Sequence, residues 1–79
     1  MSIDDRIKAV MSNVFGIPVD HIDDQASPDT LEAWDSLNAM NLSVSLEEEF
    51  NVMFTSEELS EMSNFKLIRL VLLEKGVEG

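Results

Sequence analysis

Cysteine is absent from the 79 residues, so the chain can form no disulfide and offers no thiolate as nucleophile or zinc ligand. Any thiol chemistry it joins must use sulfur brought from elsewhere. Bases are scarce as well. The 5 Lys and Arg against 16 Asp and Glu give a formal charge of -11, which argues against nucleic acid or an anionic membrane as partner and for basic proteins. No base lies between Lys8 and Lys66, whereas Asp20, Asp23, Asp24, Asp29, Glu32, Asp35, the Glu47 to Glu49 run, Glu57, Glu58 and Glu61 all do. Two readings of this stretch stand: a solvated face, or a surface that steers basic partners. No apolar run approaches the roughly 20 residues of a membrane span. The acidic opening MSIDDR has neither signal nor transit character, so no membrane span and a cytoplasmic address are expected.

Other absences narrow the chemistry. His21 is the single histidine and no G-x-S-x-G elbow occurs, which disfavours a self-contained serine hydrolase. The acids from Asp20 to Asp29 lack a glycine, and Ile22 stands where an alternating oxygen ligand belongs, so they do not form a calcium loop. No metal site is expected, beyond weak divalent-ion binding at acid clusters. His21 reads as a surface residue of a polar loop.

Strand-like alternation, internal repeats and low-complexity tracts are also missing; the periodic segments of the chain are helical. Its length suits one domain over residues 1–79, near the lower limit for a core without disulfide or metal. Ser2 is a candidate cap for a first helix bearing Ile3, Ile7, Val10, Met11, Val14 and Phe15 on one face. That helix should stop at Gly16, with Pro18 beyond it. A long polar connection follows to Asp35, pinned by Ile22, Ala26 and Leu31. Thr55-Ser56-Glu57-Glu58 reads as the capping box of a short third helix through Leu59 and Met62. Asn64 or Ser63 caps a last helix with Phe65, Ile68, Val71 and Leu72 inward, Leu67, Leu70 and Leu73 on partly exposed sides, and fraying at Gly76. The expected architecture is all-α: a small four-helix bundle with three longer helices, one short third helix, and a long loop between the first two.

The second helix, from Ser36 to about Phe50, has two apolar stripes. Ala39, Leu42, Leu46 and Phe50 form one; Leu37, Met40 and Val44 form the other. A surface helix needs only the first, so the second must meet a further element, a ligand or a partner. Asp35 or Ser36 caps this helix, since a short side-chain oxygen can accept from free N–H groups of the first turn. A hydroxyl there stands where an added phosphate is well tolerated. Met40, Met53 and Met62 either fill the core or flank a deformable apolar cleft. Trp34 either anchors the loop or contributes to binding.

The segment DSLNAMNLSVSLEEEF followed by FTSEELSEM resembles the acyl carrier proteins. That family has an Asp-Ser-Leu triplet opening the second helix of a small acidic bundle, and an apolar ladder closing in Leu-Glu-Glu-Glu-Phe. Asp35-Ser36-Leu37 and Leu46 to Phe50 match those two ends. The resemblance covers the whole chain in layout and is closest from Trp34 to Met62.

It implies that Ser36, flanked by Asp35 and Leu37, receives phosphopantetheine from coenzyme A through a phosphopantetheinyl transferase. The arm's terminal thiol would then carry acyl groups as thioesters, and the protein itself would catalyse nothing. It further implies a docking face of Met40, Val44, Glu47 and Glu48 around Leu37, and an acyl cleft of Leu42, Leu46, Met53, Phe54, Leu59 and Met62. The implied partners are acyl-loading, elongating or transferring enzymes with basic docking patches, in fatty acid, lipid or polyketide type biosynthesis, and the carrier is expected to be a monomer.

Several positions depart from the family pattern. Asn38 and Asn41 stand where acids are common, and Ser43 and Ser45 where aliphatic residues or Ala are. Trp34 replaces a small residue, and Arg69 an apolar one. Ser43 either bonds back to the Ala39 carbonyl or makes the cleft more polar. The departures point to a specialised, free-standing member. Peptidyl carriers of nonribosomal peptide synthesis are the neighbouring alternative, but they usually have a Gly-rich approach where this chain has Glu32-Ala33-Trp34. An acidic helical adaptor that is never modified is the alternative from another class.

Overall fold

In the computed structural model, which describes residues 2–78, helical periodicity becomes four α-helices joined by turns. Helix α1 spans Ile3–Phe15. Ser2 caps it, accepting from the Asp5 N–H while the Asp5 carboxylate accepts from the Ser2 N–H, so two free donors are satisfied reciprocally. The helix stops at Gly16, whose φ of 69° is left-handed and whose N–H returns to the Ser12 carbonyl. Glycine occupies that region without the Cβ clash of other residues.

Helix α2 spans Ser36–Phe50, α3 spans Ser56–Glu61 and α4 spans Phe65–Glu74. Helix α1 packs against α2 and α4, and α3 packs against α4. The core is a single cluster with Phe65, Ile7, Met11, Leu46, Ile68 and Leu72 fully enclosed. All-α architecture, three longer helices, a short third one and a long first connection are therefore observed.

The connection from Gly16 to Asp35 is not a loose tether. After a single 3-10 turn at Val19–His21, Ile22 and Ala26 enter the core at 3 % exposure each, with Leu31 packed against it. The Ala26 carbonyl accepts the Phe65 N–H at 3.0 Å. A backbone donor at the start of α4 is thus satisfied by the loop rather than by water. His21 is exposed.

Helix α4 closes more firmly than fraying at Gly76 would allow. Gly76 takes φ 92°, and the Gly76 and Val77 N–H groups return to the Leu73 and Leu72 carbonyls, satisfying acceptors that a frayed end would leave to water. Arg69 has an ion-pair partner in Asp4 at 2.8 Å, which fastens α4 to the start of α1.

Helix α3 buries no residue of its own, so its hold depends on polar contacts. Thr55 and Glu58 form its capping box. Glu58 Oε1 also accepts from Lys75 Nζ at 2.7 Å, and that ammonium lies 5.8 Å from the centre of the Phe54 ring. The hydrogen bond from Lys75, then the one from the Thr55 N–H, hold the Glu58 carboxyl below its ordinary value of 4.5. A depressed carboxyl stabilises the fold above its unfolded value, and this contribution fades as pH falls through the folded value. Wild type should accordingly melt above Glu58→Gln by a steady margin at neutral pH, narrowing below about pH 4.5. Melting curves across acid pH check this; a margin unchanged in acid would remove the charge from the explanation.

Candidate functional site

The approach to α2 is built by side chains that reach backward. Asp35 is extended, with φ -99° and ψ -176°, and its carboxylate accepts the Asn38 N–H at 2.9 Å. Of the two possible caps, Asp35 is therefore the one used, a contact worth about 1 kcal/mol. Ser36, the first residue of the helix, remains exposed. Asn38 Nδ2 donates to the Ala33 carbonyl at 2.7 Å, and Asn41 Nδ2 to Asn38 Oδ1 at 3.3 Å. An ionised aspartate at position 38 has no hydrogen to donate, so the amide ties down the loop in a way that an acid cannot.

The two stripes of α2 separate by exposure. Leu42, Leu46 and Phe50 are buried and Ala39 is half-buried. Leu37 and Met40 are 69 % exposed and Val44 53 %. Among the described residues no element covers the second stripe, which shares an end of the helix with Ser36.

The acid run at the end of α2 divides three ways. Glu47 turns inward, its carboxylate accepting the Phe54 N–H at 2.9 Å. Glu49 pairs with Arg6 at 3.1 Å. The same guanidinium donates to the Glu49 carbonyl and lies 4.3 Å from the centre of the Phe50 ring. Glu48 is exposed and makes no ion pair among the described residues. Among those residues no three acids or histidines come together as a possible metal site.

A cavity of about 150 Å³ lies under α2. Of the residues expected around a cleft, Leu42, Leu59 and Met62 line it. Leu46 is fully enclosed in the core, Phe54 is half-buried beside Lys75, and Met53 is 82 % exposed. Trp34, Ala39, Met40, Ser43 and Ile68 complete the lining. Trp34 carried a signal in its position before the triplet, and Met40 in its polarizable side chain. Ile68 carried none, because α4 reaches the cavity only through the tertiary fold. Ser43 Oγ donates to the Met40 carbonyl at 2.8 Å, not to that of Ala39. Both carbonyls lie within reach of a helical hydroxyl, and the bond leaves the Ser43 proton committed to its own helix.

A shallower groove of about 370 Å³ runs beside Ser36, bounded by Pro28, Asp35 and Ser63. Trp34, Ala39 and Met62 line both groove and cavity. An exposed hydroxyl at a helix start, opening on a groove with apolar walls, suits a slender polar arm attached by a phosphate.

Residues 5–68 match the family described as "Phosphopantetheine attachment site". Comparison with curated proteins returns no match.

The inward turn of Glu47 is testable by stability alone. Glu47→Ala should lose about 1 kcal/mol, because the half-buried Phe54 N–H is left without its acceptor, while Glu48→Ala should stay within about 0.5 kcal/mol of wild type. Urea unfolding of the two variants measures both; equal effects would overturn the division of roles.

Proposed function

We propose, from the premise that the chain belongs to the phosphopantetheine attachment-site family of acyl carrier proteins, that Ser36 is the attachment residue. Phosphopantetheine is the family's covalent cofactor, and its terminal thiol supplies the thioester chemistry that a chain without cysteine lacks. The observation that carries the assignment is the division of labour at the start of α2. Asp35 takes the capping bond, and Ser36 stands exposed on the first turn beside the groove. The N–H groups and dipole of that turn favour the phosphodiester's negative charge.

The protein is a non-catalytic carrier that holds acyl intermediates and presents them to enzymes of fatty acid, lipid or polyketide type biosynthesis. Carriers of this family meet phosphopantetheinyl transferases and partner enzymes. In this chain Leu37, Met40 and Val44 form the apolar centre of the docking face, and Glu48 is its free acid. Glu47 supports that face by fixing the turn after α2. The departures at Asn38, Ser43 and Trp34 support a specialised carrier.

Incubation with coenzyme A, magnesium and a broad-specificity transferase should add the mass of one phosphopantetheine to wild type and none to Ser36→Ala. Intact-protein mass spectrometry reads this. Unmodified wild type would favour the acidic adaptor instead.

The docking face has its own test. Attraction between acids and a basic partner weakens as salt screens it. Glu48→Lys should therefore slow modification several-fold at low salt, with the two rates converging at high salt. Equal rates at every salt concentration would remove Glu48 from docking.

A further inference from the structure

Helices α3 and α4 pack together without burying any residue of α3, and the seam between them is a groove open to solvent. Its floor is Val71, buried at 3 % exposure, and its α4 wall is formed by Leu67, half-buried, and Leu70, 50 % exposed. Leu67, Leu70 and Glu74 recur at helical spacing, so the apolar strip runs for about two turns, roughly 10 Å along the axis, and ends on an acid. Ser60 and Glu61 supply the opposite wall from α3.

Charge decides what fits there. Glu61 and Glu74 stand on opposite walls, both exposed, and neither has an ion-pair partner among the described residues. Glu57, one turn before Glu61 on α3, is exposed as well. Among the described residues no base lines the groove: Lys66 lines a neighbouring hollow with Asp24 and Asp29, and Lys75 is taken by Glu58. A second copy of this chain is a poor occupant, because it carries a formal charge of -11 and would set acid against acid. An anionic lipid surface is repelled for the same reason. What suits two acids astride a short leucine strip is an amphipathic helix, with apolar side chains at i and i+3 or i+4 and Lys or Arg beside them.

The groove shares only Ser63 with the one beside Ser36, and no residue with the stripe of Leu37, Met40 and Val44. Its occupant therefore leaves Ser36 and that stripe uncovered. We propose that the groove between α3 and α4 is a second docking site, whose occupant is a basic amphipathic helix of a partner protein, and that it tethers this chain while α2 stays free for other partners. Binding there needs no group on Ser36, so its test is separate from that of the carrier reading.

The probe is a synthetic helix of Leu and Lys, about 18 residues long so that it holds helical form, with Leu at every third or fourth position. It is titrated into isotope-labelled protein carrying Met40→Ser and Glu48→Lys, two exposed positions whose replacement breaks the α2 stripe and keeps the probe off it. Backbone amide signals of Ser60, Glu61, Leu67, Leu70 and Glu74 should shift together and saturate. Adding Leu70→Ser should weaken the probe by roughly five-fold, since part of a leucine's apolar burial is lost from the contact.

Glu61→Lys with Glu74→Lys should weaken it more at low salt than at high salt, and decides the matter if Leu70→Ser does not fold. A Leu and Glu helix of the same pattern should not bind. Shifts that centre elsewhere on the bundle overturn the proposal, as does an affinity that neither variant changes. Equal binding of the Leu and Glu helix overturns it too, and signals of α3 and α4 that move with protein concentration alone would give the groove to a second copy instead.

Discussion

A helix with apolar side chains on two sides can bury only one of them in a bundle this small. Helix α2 spends Leu42, Leu46 and Phe50 on the shared core, and among the described residues nothing covers Leu37, Met40 and Val44. The uncovered stripe costs solubility unless polar neighbours break it up or a partner covers it for a time. Here it is a narrow band with acids at its far end and Ser36 at its near end. The surplus that packing could not absorb thus lies next to the residue that we assign to covalent attachment.

The few bases are used in the same economical way. Arg6 joins α1 to the end of α2, Arg69 joins α4 to the start of α1, and Lys75 joins α4 to α3. The first two pairs are about a third or more exposed, so each is worth at most about 1 kcal/mol. They orient helices that the apolar core holds together. Their larger effect is on the field: with three of the five bases committed to helix ends, the acids of the middle stretch keep most of their charge for partners. Steering of that kind acts on association rate more than on affinity.

The long first connection contributes a wall as well as a link. Ile22 and Ala26 anchor it from below, the Ala26 carbonyl receives the first N–H of α4, and Asn38 draws the Ala33 carbonyl toward α2. Trp34 is thereby held against Phe15 and faces the cavity on its other side. The ring thus anchors the loop on one side and lines a cavity on the other, because a large flat side chain has two faces to use.

Helical periodicity, the glycine stop at Gly16, the Thr55 cap and the double stripe on α2 were legible in the sequence, because each is decided by residues within a turn or two of one another. The Asp-Ser-Leu triplet was legible for the same reason. What only the tertiary structure decided is how each residue spends its side chain. Three consecutive glutamates look alike in sequence. One of them receives the Phe54 N–H, one meets Arg6 from a different helix, and one faces solvent. Met53 and Met62 are equally apolar, yet one is left in water and the other lines the cavity. Ile68 joins that lining from a helix twenty-odd residues further along the chain. Local patterns fix where helices begin, end and turn their apolar faces. Which groups meet across the core depends on how the helices settle against one another, and no single segment contains that information.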